Sequence, residues 1–188
     1  MKKLLLTLTM LFAVINILAQ EHLSFKGIPI EGSMVAFCEE LTAKGFTQIG
    51  SENNVTMFTG DFTSRQATVL VSATDDGKFV HTVGVIFDES SKWNTLVNTY
   101  DYYKSLYIRK YGKPSACQEH NPSRSDSNIA LMYELGQGTV TYASTWNVTG
   151  GTIRLSIEKF GISDGAITII YRDAQNVETK IQKDLEDI

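Results

Sequence analysis

The sequence predicts an α+β protein. Two similar units, each a helix followed by antiparallel strands, form a sheet with helices on one face, and a further helix closes the chain. Three observations carry this prediction. Apolar residues recur at helical spacing in two separated stretches: Met34, Phe37, Cys38 and Leu41, then Trp93, Leu96, Tyr100, Tyr103 and Tyr107. The first stretch ends at Lys44-Gly45-Phe46 and the second at Lys110-Tyr111-Gly112, an echo of the same stop signal. Each is followed by a run of short alternating segments separated by turn residues, with too few crossover helices for a parallel sheet.

Taken in order, residues 21–32 read as an extended lead-in, because Pro29 and Gly32 discourage helix. Ser33 is the expected N-cap of a helix to residue 44. Strands are expected over 47–49, 55–62, 67–74 and 79–87, the last two joined by the turn chemistry of Asp75-Asp76-Gly77-Lys78. Ser90 or Ser91 should cap a second helix over 92–111, stopped by Gly112 and Pro114. The polar run 118–128 reads as a loop. Further strands are expected over 129–135, 140–148, 152–160 and 166–171, then a terminal helix over 174–187. The narrow stripe of Val177, Ile181 and Leu185 is the face by which that helix should dock. The reading is one domain over 20–188, made of pseudo-repeated units at 33–88 and 91–172.

The chain has 188 residues, 43% hydrophobic and 20% charged, which is enough apolar material for a self-sufficient core and excludes intrinsic disorder. Lys2 and Lys3, the apolar run 4–15 and Ala19 follow the order of a secretory signal peptide, residues 1–19, cleaved after Ala19. The run is short for a membrane span, so no membrane insertion is expected once the signal is removed. Losing the two lysines takes the net charge from −4 to −6, which argues against a nucleic-acid partner. The mature chain is expected to be soluble and to reside in the periplasm or outside the cell.

Cys38 and Cys117 are the only cysteines, so one pairing exists. Export makes a Cys38–Cys117 disulfide chemically reasonable, and Cys117 follows the break of the second helix. The competing reading places Cys38 in the buried stripe of the first helix as a small hydrophobe.

Alternation assigns the sheet faces. Ile153, Leu155 and Ile157 point one way, with Arg154, Ser156 and Glu158 opposite; Tyr142 and Trp146 oppose Thr141 and Thr145. Thr141, Thr145, Arg154, Ser156 and Glu158 are therefore expected to be solvent-exposed on one polar face, the candidate binding face for a protein, peptide or glycan.

The signal peptide, the helix endings Lys44-Gly45-Phe46 and Lys110-Tyr111-Gly112-Lys113-Pro114, the strands around Trp146 and 153–157, and the closing 169–173 together resemble the two-unit architecture of the β-lactamase inhibitor proteins. They also resemble a broad group of small secreted bacterial proteins. The resemblance implies an open sheet face used for binding, and no inhibitory motif carries over.

Signatures of chemistry are sparse. No phosphate loop, nucleophile elbow or zinc helix occurs. His22 lies in the lead-in and reads as solvated, and His81 reads as a satisfied interior or edge residue. His120 stands near Cys117 and Glu119 without the spacing of a metal site. No catalytic residue, metal ligand or cofactor is assigned. An exported non-enzymatic binding module is the leading expectation; a secreted hydrolase with a dispersed site, using His81 or His120, is the alternative.

Overall fold

Gly45 and Gly112, at φ of 91° and 83°, end the two principal helices in the left-handed backbone region that glycine adopts without strain. The computed structural model describes residues 21–123, 125, 127–186 and 188; the expected signal peptide lies outside them. A small hairpin of β1 (Ser24–Phe25) and β2 (Ile28–Pro29) opens the fold. It is followed by α1 (Met34–Ala43), β3 (Thr47–Glu52), β4 (Val55–Phe62), β5 (Arg65–Ala73) and β6 (Val80–Phe87). The second half runs α2 (Trp93–Tyr111), β7 (Ala116–His120), α3 (Asn128–Gly136), β8 (Thr141–Val148), β9 (Gly151–Phe160) and β10 (Asp164–Asp173), and α4 (Ala174–Glu186) ends it.

The eight strands β3 to β10 form one antiparallel sheet in the order β3-β4-β5-β6-β10-β9-β8-β7. Each half supplies four consecutive strands, and the last strand of one half pairs with the last of the other through Val85 opposite Ile169. The register carries one buried row across the sheet, from Phe58 through Val69, Val85, Ile169 and Leu155 to Ser144. Phe37 and Leu41 of α1, the aromatic stripe of α2, and Leu131 and Met132 of α3 complete a single core with that row. Among the described residues no helix is long and apolar enough to cross a membrane.

Local signals hold at α1, where the Ser33 hydroxyl accepts from the Ala36 N–H at 3.3 Å. At α2 the cap comes from elsewhere. Ser90 Oγ accepts from Lys92 N, outside the helix, whereas the Trp93 N–H donates to Asn128 Oδ1, 35 residues on. The segment 129–135 is helix rather than strand: Leu131 and Met132 pack inward while Ile129 and Tyr133 face out. A short apolar run fits either period, and the packing of α3 beside α2 decides it. The run 118–128 is not all loop either, since residues 118–120 belong to β7.

The disulfide is not formed. Both cysteines are free, Cys38 half-buried on α1 and Cys117 exposed on β7. Cys38 lies beside Thr56 of β4, six strand positions from the outer strand β7. At about 4.8 Å per strand that is roughly 29 Å, far beyond disulfide reach of about 7 Å. Helix α4 also departs from expectation. Its one buried residue is Asn176, while Ile181 and Leu185 are 43% and 55% exposed. It docks through polar groups: the Asn176 amide donates to the Ile30 and Val80 carbonyls, and Lys183 donates to Asp76 at 2.7 Å. Two backbone carbonyls left inside the fold need donors, and an apolar stripe supplies none.

Candidate binding face

Strand alternation places Thr141, Thr145, Arg154, Ser156 and Glu158 on the sheet face opposite Trp146, Ile153, Leu155 and Ile157, all of which are buried. The cross-strand register brings the first group together. Thr145 stands opposite Arg154, and Ser156 lies between Ala143 and Thr168. Thr141, Thr145, Arg154 and Glu158 are half-buried rather than fully exposed. Ser156 is buried, at 1% exposure, which corrects its expected place at the surface.

Its burial has a local cause. Arg154 and Glu158 flank Ser156 on the same face, two residues to either side, and their charged ends meet at 3.5 Å. The ion pair closes over the small side chain beneath it. Ser156 Oγ is then satisfied sideways, by Thr168 Oγ1 of the next strand at 3.0 Å. The adjoining row runs Thr59, Thr68, Ile86, Thr168, Ser156, Ala143 and Gln118, so small and hydroxyl-bearing side chains dominate it. The next row holds Met57, Leu70 and Ile170, which adds an apolar component to this side of the sheet. Among the described residues, the clefts beside α1, α2, α4 and the β1–β2 hairpin are lined by none of these five residues.

His120 of β7 stands opposite Thr141, at the edge of this face, and the other histidines sit in other segments. His22 is packed rather than solvated: its Nδ1 is 3.1 Å from Asp173 Oδ2 and its Nε2 3.5 Å from Glu31. Asp173 is fully buried, and accepts from the Leu23 and Asn176 N–H groups at 2.9 Å each. It thereby ties the lead-in to the start of α4. His81 is the extra residue of a β-bulge, where the pairing slips between Ser72 and Ala73. Its Nδ1 bonds the neighbouring Thr82 hydroxyl at 2.9 Å, and burial pushes its pKa down against a backbone bond near Ala73 that acts the other way. His120 is exposed on β7, four strand positions from β6. The two histidines do not converge.

Cys117 lies within a polar group on the helix side of β7. Lys104 Nζ and Ser144 Oγ donate to its sulfur at 3.4 and 3.5 Å, and Lys104 also pairs with Glu119. Burial works against the Glu119 charge more than any one contact favours it, but hydrogen bonding from Lys104 and Tyr100 and the Lys104 charge together hold that carboxyl below its usual range. Ser144 itself was missed by the alternation argument. It is the small polar residue between Tyr142 and Trp146 on the core face, and its buried hydroxyl bonds that of Tyr100. Among the described residues, no three side chains of metal-ligating type converge.

Comparison with protein-family models, with curated proteins and with solved structures finds no match for this chain.

Proposed function

We propose that this chain is an exported, non-enzymatic binding module whose polar sheet face takes a protein, peptide or glycan partner. The observation that carries the reading is the half-exposed group Thr141, Thr145, Arg154 and Glu158, held in fixed register by burial of the opposite face. A one-residue slip would send Ile153, Leu155 and Ile157 to water, at roughly 1.5–3 kcal/mol per large apolar side chain. The face is therefore a rigid platform. Its hydroxyls and its paired opposite charges suit hydrogen bonding to a polar partner better than the gripping of an apolar one. Export supports the same reading through the order Lys2-Lys3, apolar run, Ala19.

Capture from the envelope or extracellular fraction tests it, using the chain and its Arg154→Ala/Glu158→Ala variant as bait. A partner retained by the first and lost by the second is the expected result; equal capture by both overturns the use of this face. N-terminal sequencing of the exported product should begin at Gln20, and an intact Met1 on that product overturns export by this signal.

A further inference from the structure

On the helix side of the sheet, the last turns of α2 and the β1–β2 hairpin enclose a cleft of about 190 Å³. Its walls are aromatic. Tyr107 and Tyr171 meet there with their hydroxyls bonded to each other, and the Tyr103 hydroxyl bonds Thr63 at 2.8 Å. Burial pushes all three phenols above their ordinary pKa, so they stand as neutral hydroxyls and rings rather than as phenolates.

Two lysines border the same cleft. Lys26 lies 5.0 Å from the centroid of the Phe46 ring, and Lys110 lies 4.8 Å from that of Tyr111. Lys26 also donates to the Asp61 carbonyl at 3.0 Å, which leaves two of its three N–H groups for another acceptor. Among the described residues neither ammonium forms an ion pair with a carboxylate, and no acidic side chain lines the cleft. Lysine stems commonly cover aromatic rings, which accounts for the packing of their carbon chains. It does not account for two lysines without an ion-pair partner among the described residues at one opening, in a chain with 21 acidic and 17 basic residues.

We propose that this cleft is a binding site for a small aromatic carboxylate, with its ring among the tyrosines and its carboxylate between Lys26 and Lys110. The volume is below the range of about 300–1,000 Å³ typical of drug-sized ligands, so a single ring with a short acidic arm is the size that enters. Offset and edge contacts with the tyrosine rings select the flat body, and two charge-assisted hydrogen bonds select the anion. The site lies on the opposite side of the sheet from Arg154 and Glu158, because Tyr171 pairs with Ile153 of the core face. It therefore stands independently of the proposed binding face.

Phenylacetate and 4-hydroxyphenylacetate, titrated into the exported protein and followed by amide NMR, test the site, with acetate and benzyl alcohol as probes lacking ring or charge. The expected result is saturable shifts at the Lys26, Tyr107 and Lys110 amides with Kd below about 10 mM for at least one acid. The Lys26→Met/Lys110→Met variant keeps both aliphatic stems and should bind at least about tenfold more weakly at unchanged Tm. Absence of saturable shifts with both acids, equal affinity in the variant, or acetate or benzyl alcohol binding as tightly as the acids would each overturn the proposal.

Discussion

The hydroxyls of Tyr100 on α2 and Ser144 on β8 are hydrogen-bonded at 2.7 Å inside the core, and each residue is 0% exposed. The bond pins the helix to the sheet at a point where neither group can turn to water. Tyr100→Phe should cost about 1–2 kcal/mol, because Ser144 loses its strong partner and keeps only the long contact to Cys117. In a chain of this size that lowers Tm by roughly 2–8 °C. Removing both hydroxyls in Tyr100→Phe/Ser144→Ala should cost less than the sum of the single changes. Calorimetry of the four proteins decides it; strict additivity would show that the bond contributes nothing.

Alkylation of the folded, unreduced protein should modify both cysteines. Cys117 is exposed and should react within minutes, whereas Cys38 is half-buried and burial pushes its thiol pKa up. The thiolate is the reacting form, so Cys38 modification should lag and should need higher pH. Recovery of a Cys38–Cys117 disulfide by non-reducing mass spectrometry would contradict the sheet order.

Asp173→Ala should destabilise the fold by about 2–4 kcal/mol, since it leaves two buried N–H groups, of Leu23 and Asn176, without their acceptor. Hydrogen exchange should rise first at the Leu23 amide and through α4, both tied to this carboxylate. Uniform exchange across the sheet instead would show that the contact is not local.

His81 gives stability a pH dependence of known sign. Its folded pKa is depressed, first by burial and then by the Lys180 and Arg172 charges, while Asp184 and the backbone near Ala73 oppose the shift. The unfolded chain takes up a proton near pH 6.5 that the folded chain resists, so stability falls as the pH drops below about 6.5. His81→Asn removes this contribution, and its stability should fall less than that of the parent between about pH 6.5 and 5. Parallel slopes in denaturant titrations would rule His81 out as the source.

The Arg154→Ala/Glu158→Ala variant should unfold within about 1 kcal/mol of the parent, because a half-exposed ion pair contributes little. A larger loss would mean that cover over Ser156 matters more to the fold than to recognition.

By itself the sequence determined the α+β class, the boundaries of α1 and α2 to within a residue or two, and the buried side of β8 and β9. These features rest on short-range physics: helical and strand periodicity, the Ser33 cap, and glycines where the backbone turns left-handed. Tertiary structure decided the rest. It made 129–135 a helix, because an apolar run of that length takes the form its neighbours can pack. It supplied the α2 cap from Asn128, buried Ser156 beneath a pair of charges, and turned the polar side of α4 inward to satisfy two carbonyls. It also separated the two cysteines, since strand order fixes distance across a sheet and no local pattern encodes strand order. The lysine-bordered tyrosine cleft has the same origin: Lys26, Lys110 and Tyr171 come from three distant segments, and only the packing of the β1–β2 hairpin and α2 on the sheet brings them to one opening.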